Sequence, residues 1–248
     1  MDIGLLTLVI VLAIALLLVM GLPLAFVTGA VAVTVGLLKF GPVVLGLIAS
    51  RIYSFTNEYV LVAVPMFILM ASLMERTGVA RDLYRAMHVW AGGLRGGVAA
   101  QTLIVAMIMA AMTGIIGGEI VLLGMIALPQ MLRVGYQKNL AIGTICAGGS
   151  LGTMIPPSIV LIIYGLTANV AIGDLFLATI IPGFLLAGIY LSYILVRCAI
   201  NPDLGPPAPL EERQMPLLQK LALFKSLVLP LMVAAWVLGS IYAGIASV

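Results

Sequence analysis

Apolar positions along this chain come in long runs separated by short clusters of glycine, proline and charge, with no strand-like alternation. A helix rises about 1.5 Å per residue and the hydrocarbon core of a bilayer is about 30 Å thick, so roughly 20 apolar residues make one crossing. On that ruler residues 4–20 predict a first span, Gly21 and Pro23 a tight turn, and 23–38 a second span ending at Lys39. The stretch 42–58, "PVVLGLIASRIYSFTNE", is mixed in polarity and reads as interfacial or partly re-entrant. Residues 59–74, "YVLVAVPMFILMASLM", read as a third span, which closes an N-terminal scaffold of 1–74.

The pattern then changes. Across 75–96, Val79, Leu83, Met87 and Trp90 recur at helical spacing with Arg81, Asp82 and Arg85 between them, which predicts an amphipathic helix on the cytoplasmic membrane surface. Within the segment 97–134, residues 97–132 are apolar except near "TGIIGGE". A straight helix over 97–132 would be about 54 Å long, so the segment must fold back as a hairpin, re-entrant or fully spanning, with its tip at Thr113 to Glu119. Residues 138–169 would run about 47 Å unless broken, and Pro156 and Pro157 supply the break. A further span is predicted at 173–197, a cytoplasmic linker at 201–225 and a last span at 226–248.

Composition agrees with membrane residence: 63% of the 248 residues are hydrophobic and 8% charged, and the mean hydropathy is +1.27. The net charge of +3 gives no case for nucleic acid. Its use is topological. Following the crossings puts Lys39 and Arg51 on the side of the N-terminus and the other ten of the 12 basic residues opposite, which by the positive-inside rule predicts an outward N-terminus. The first apolar run has Asp2 in place of a basic leader and reads as a retained helix. Two unpaired cysteines and one histidine argue against a disulfide framework and a His/Cys metal cluster.

Two irregular points carry the candidate chemistry. "GGSLGTMIPPS" is mostly Gly, Pro, Ser and Thr; a proline pair removes two N–H donors and frees carbonyls that lipid cannot satisfy. Helix packing with a kink accounts for a lone pair of such residues. A cluster this dense suits a discontinuous helix around a bound ion or substrate, with carbonyls and hydroxyls, among them Ser150, Thr153 and Ser158, as ligands for a hard cation. The second point, Thr113 to Glu119, lies at the middle of the folded-back segment, and the two breaks suggest one shared site. An intramembrane carboxylate costs about 3 kcal/mol on insertion scales, so Glu119 should face protein or a water-filled cavity. Three roles stay open for it: coordinating Na+, carrying a proton, or accepting hydrogen bonds from tip amides. A structural Glu at the mouth of a full hairpin is the alternative.

A hairpin with a Gly-rich tip followed by "GTICAGGSLGTMIPPSIVLIIYGLTANVAIGDLFLATIIPG" resembles the large, DctM-like membrane subunit of TRAP transporters, the tripartite ATP-independent periplasmic carriers. The pattern is G-x-L-G-x-x-I-P-P-S with Y-G and I-G-x-L-F downstream; "VPMFILMASLMERTGVARDLYR" and "GGLRGGVA" upstream are similar too. The resemblance implies an all-α membrane protein of about six spans plus a re-entrant hairpin and a broken helix, one half of an inverted-repeat elevator transporter. It implies Na+ as coupling ion with no other cofactor, and an organic anion such as a dicarboxylate as substrate. It also implies a small membrane subunit and a periplasmic solute-binding protein as partners, in a bacterial inner membrane. The site residues it suggests are Thr113, Gly117, Gly118, Glu119, Gly149, Ser150, Gly152, Thr153, Pro156, Pro157 and Ser158, with Na+ at Ser150, Thr153 and Gly118. The tip "GGE" departs from the Ser-rich tip of many relatives. The family's chain is nearly twice as long, so this sequence is expected to be an N-terminal half, its last span beginning a second one.

A rival reading is another ion-coupled carrier of similar architecture that works without a binding protein. A channel lacks a ring-forming repeat of pore residues, and an intramembrane enzyme lacks a base beside Cys146, Ser150 or Glu119, since His88 falls on the surface helix. Asp174 is expected to cap the helix it begins.

Overall fold

The computed structural model describes residues 3–91, 93–114, 116–208 and 225–245. The centre of the linker, with Arg213 and Lys220, and the side chains of Arg85, His88 and Trp90 lie outside the described residues. The protein is an all-α membrane protein, with no strand among the described residues. It divides into two compact units, Met1–Tyr59 and Val60–Val248.

The first unit holds α1 (Ile3–Val19), α2 (Leu24–Phe40) and α3 (Val43–Thr56). The chain reverses at Gly21, with φ +82°, and at Gly41, with φ +69°, values that favour glycine. Burial is sparse, confined mainly to Val27, Val31 and Val44, while Leu8, Leu12, Leu16 and Phe26 face outward. Such an apolar exterior belongs against lipid.

The second unit contains α4 (Ala63–Arg76), α5 (Val79–Ala91), α6 (Gly97–Thr113), α7 (Ile116–Val134), α8 (Lys138–Ser150), α9 (Ile159–Ala168), α10 (Ile172–Ile200) and α11 (Lys225–Tyr242). Its core is centred on α6, from which Val98, Ala99, Leu103, Val105, Ala106, Met109, Ala110 and Met112 are buried. Helices α5, α7, α8 and α10 all contact it. The apolar face of α5 is turned onto this core: Leu83, Tyr84 and Ala86 are buried, and Arg81 and Asp82 are exposed. Of the stripe that predicted a membrane-surface helix, Leu83 and Met87 are met here by protein.

Residues Gly117–Val134 and Ile172–Ile200 are each long and apolar enough to cross a membrane. Gly97–Thr113 and Ile159–Ala168 are apolar but shorter, about 26 and 15 Å at helical rise. Helix α10 starts without the expected Asp174 cap: its N-cap is Ala171 and no side chain makes a cap bond. Asp174 lies in the first turn, where the helix dipole favours a carboxylate.

The α6–α7 segment is a closed hairpin, because its two ends meet. The Val98 N–H donates to the Tyr136 hydroxyl at 3.1 Å. Around this joint the Gly96 N–H donates to Gly205 O at 2.8 Å and the Gln137 N–H to Leu204 O at 3.0 Å. The approach is close enough that a Cβ on Gly205 would stand 2.7 Å from Cys198 Sγ and 2.9 Å from the Tyr136 ring. Burial pushes the Tyr136 phenol from its ordinary 10.0 up to about 12.

Tyr136→Phe leaves the buried Val98 N–H without its acceptor and should cost about 1–3 kcal/mol, read as a lower melting temperature in detergent. The alkaline behaviour has a definite sign. The folded phenol keeps its proton between pH 10.0 and about 12, where the unfolded chain loses it. The stabilisation is therefore whole below pH 10.0 and is lost as pH rises towards 12, and the Phe variant should show a shallower decline over that window.

Candidate functional site

The site is built where the tip of the α6–α7 hairpin meets the interruption between α8 and α9. Helix α6 ends on Gly114 in the left-handed conformation, φ +61°, whose N–H donates back to Ala110 O at 3.1 Å. Helix α8 ends in a single 3-10 turn, Leu151–Thr153, and the chain then passes through a cis Pro156–Pro157 bond to Ser158, the N-cap of α9. Neither proline can donate a backbone hydrogen bond, so regular helix stops here.

Direct contact joins the two breaks. A Cβ on Gly114 would stand 2.3 Å from Pro157 O and 3.3 Å from Ser158 Cα, so the hairpin tip rests on the backbone of the proline loop. The Ile159 N–H, an orphan donor in the first turn of α9, donates to Gly114 O at 3.4 Å. One break thus caps the helix that leaves the other. Glycines at the end of α8 set the remaining spacing: a Cβ on Gly148 would meet Ala106 Cβ at 2.8 Å, and one on Gly149 would meet Ile120 Cγ1 at 2.1 Å.

Polar side chains gather at this seat. Thr113 is 1% exposed, Glu119 1% and Ser158 0%. The Thr113 hydroxyl donates towards Glu119 Oε1 and towards Met109 O, 3.1 Å away, sharing one hydrogen between two acceptors. Ser158 Oγ is enclosed without a hydrogen-bond partner among the described residues, a costly state for a buried hydroxyl. Its side chain makes no cap bond to α9, and the Gly114 carbonyl accepts from the first amide of that helix, Ile159 N–H.

The sequence matches a model of the "Tripartite ATP-independent periplasmic transporter, DctM component" over residues 11–248. The chain belongs to this family. It is 36% identical over 186 residues to a C4-dicarboxylate TRAP transporter large permease protein of Vibrio cholerae, a match covering 72% of this chain and 41% of that protein. An ectoine TRAP transporter large permease protein of Halomonas elongata is 32% identical over 188 residues, covering 75% of this chain and 42% of the relative. An isethionate TRAP transporter permease protein of Oleidesulfovibrio alaskensis is 31% identical over 179 residues, 72% of this chain and 28% of the relative. The matched part covers less than half the length of each of these relatives.

Within this TRAP permease chain the structure pairs Thr113 with Glu119 and sets the neighbouring Gly114 on the backbone of Pro157 and Ser158. It does not show the trio named for Na+ as one cluster. Ser150 Oγ donates to Ala147 O and Thr153 Oγ1 to Ser150 O, each at 2.7 Å, so both hydroxyls are tied to their own chain. Gly117 is exposed and Gly118 half-buried on the first turn of α7. Pro156 and Gly152 are buried within the loop, and Gly149 spaces α8 from α7. Sequence reasoning placed Gly114 in the tip but gave it no role, although a glycine closing an apolar helix is the signal for a left-handed cap.

Gly114→Ala should destabilise the protein by about 3 kcal/mol or more, since it adds left-handed strain to a collision with Pro157 O. Gly117→Ala is the counterpart, for its Cβ would enter open space inside a helix, and should be neutral or stabilising by about 0.5–1 kcal/mol. Thermal unfolding in detergent reads both, and a similar loss in the two variants would contradict the seat.

Proposed function

We propose that this chain supplies the hairpin and broken-helix half of a Na+-coupled, binding-protein-dependent TRAP permease that imports organic anions. Family membership supports a transport role, and the names of the relatives support small polar or anionic solutes, among them C4-dicarboxylates, isethionate and ectoine. The observation that carries the coupling part of the reading is Ser158, a hydroxyl enclosed at a helix interruption with no protein partner among the described residues. Beside it is Pro157 O, which faces the hairpin tip. Hard cations take such oxygen ligands, and interrupted membrane helices provide them.

On this reading Na+ binds at Ser158 Oγ and Pro157 O, beside the contact with Gly114, and the buried Glu119 accepts from Thr113, the residue before Gly114. Because Pro157 and Ser158 form the backbone face on which Gly114 rests, ion occupancy there would change the free energy of holding the hairpin tip against the broken helix. By linkage, whatever solute binds against the same seat then alters Na+ affinity in equal measure. A small membrane subunit and a periplasmic solute-binding protein complete the assembly, in a bacterial inner membrane with the N-terminus on the periplasmic side.

The test is uptake of labelled succinate into proteoliposomes containing the chain extended to the length of its relatives, with binding protein and small subunit supplied. An inward Na+ gradient should drive accumulation, and equal uptake without the gradient would refute Na+ coupling. Ser158→Ala should raise the Na+ concentration for half-maximal uptake about tenfold, the loss of one oxygen ligand. Its melting temperature should hold or rise, because the substitution removes an unsatisfied buried hydroxyl. A fall in melting temperature with an unchanged Na+ response would make Ser158 structural.

A further inference from the structure

Outside the hairpin seat, a groove of about 580 Å3 runs between α8 and α10. Its two ends differ in chemistry. At one end Gln137 and Asn139, where α8 begins, stand with Arg197, three residues before the end of α10. The bond from the Gln137 N–H to Leu204 O holds this end together. Further in, the walls include Gly143 of α8 and Ile189 of α10, the latter about 12 Å along the helix from Arg197 at the usual rise. The groove is hollow because Gly143 offers no side chain: a Cβ there would find nothing within 4 Å.

Arg197 is held ready for an anion. Its guanidinium carbon lies 6.0 Å from the centroid of the Tyr193 ring, which also lines the groove. Among the described residues it forms no salt bridge. Ile172–Ile200 is long and apolar enough to cross a membrane, so an arginine near its end sits at headgroup depth, with its stem along apolar surface. A free anion would engage the polar end and leave the apolar length unused. A molecule with a negative head and a hydrocarbon tail fits both.

We propose that this groove binds one anionic phospholipid, its phosphodiester against Arg197, Gln137 and Asn139 and an acyl chain along Gly143 and Ile189. The site is independent of the ion seat and of the transported solute, and it ties the joint between α8 and α10 to the composition of the surrounding membrane.

Native mass spectrometry of the 248-residue chain in detergent, titrated with dioleoyl phosphatidylglycerol and separately with dioleoyl phosphatidylcholine, tests this. The first lipid bound should favour phosphatidylglycerol about five-fold, the worth of one basic side chain at an anionic headgroup. Arg197→Gln should erase that preference while keeping some binding of both lipids. Gly143→Leu should weaken both, its melting temperature showing that the fold persists; should that variant unfold, Arg197→Gln alone decides. Equal affinity for the two lipids, or a preference that survives Arg197→Gln, would overturn the proposal. Displacement of the bound lipid by millimolar inorganic phosphate would make this a free-anion site instead. Loss of lipid binding when the chain is extended to the length of its relatives would assign the groove to that further segment, and would equally overturn it.

Discussion

A backbone amide or carbonyl surrounded by apolar groups has to find a partner inside the protein, and at the two helix breaks the contact of Gly114 with the proline loop supplies one. Two helices are interrupted, one by Gly114 and one by the Pro156–Pro157 pair. Each interruption frees donors or acceptors that hydrocarbon does not accept. The Gly114 carbonyl receives the Ile159 N–H, so the loose end of the hairpin satisfies the loose start of α9. Only a residue without a side chain permits the approach, because a methyl group at Gly114 would overlap Pro157 O. The small residues Gly148 and Gly149 follow from the same demand, since they let α8 lie close enough to α6 and α7 for the two breaks to meet. Ser158 is then enclosed at a point where regular hydrogen bonding has already been spent.

Much of this architecture was legible in run lengths. A stretch about 54 Å long as a helix cannot stay straight in a layer about 30 Å thick, and the chain duly turns at Gly114, bringing Val98 back to Tyr136. The proline pair marked where α8 and α9 part, with helix resuming at Ile159. These inferences rest on length and on missing donors, both of which are local and can be counted from the sequence. The family was legible for a related reason: the irregular, residue-specific "GTMIPPS" carries more information than an apolar run that many sequences satisfy equally well.

Features that depend on a distant partner were not legible. The stripe through Leu83 and Met87 announces an apolar face, but lipid and a neighbouring helix ask for the same spacing, and only the fold shows Leu83, Tyr84 and Ala86 buried against the α6 core. Asp174 has a capping residue's chemistry, yet the helix begins at Ile172 with Ala171 as N-cap. The hydroxyls divide in the same way. Ser150 and Thr153 have bonded acceptors within their own turn, whereas Ser158 Oγ is enclosed with no partner among the described residues. Composition cannot tell an occupied hydroxyl from an unoccupied one.

That division bears on how such a seat could move. The contact between Gly114 and the proline loop is backbone against backbone and leaves little room for compression, so the hairpin tip and the start of α9 behave as one block as long as it holds. A hydroxyl without a protein partner adds nothing to that block and carries a standing cost that a ligand oxygen or cation removes. On the proposed reading a ligand at Ser158 would favour the closed seat, because Gly114 resting on Pro157 and Ser158 encloses it. Rigid backbone and an unsatisfied side chain have complementary parts here. The first fixes the tip against the proline loop, and on the Na+-coupled reading proposed above the second would let a bound ion weight that closed seat, which is the minimum a carrier requires for coupling.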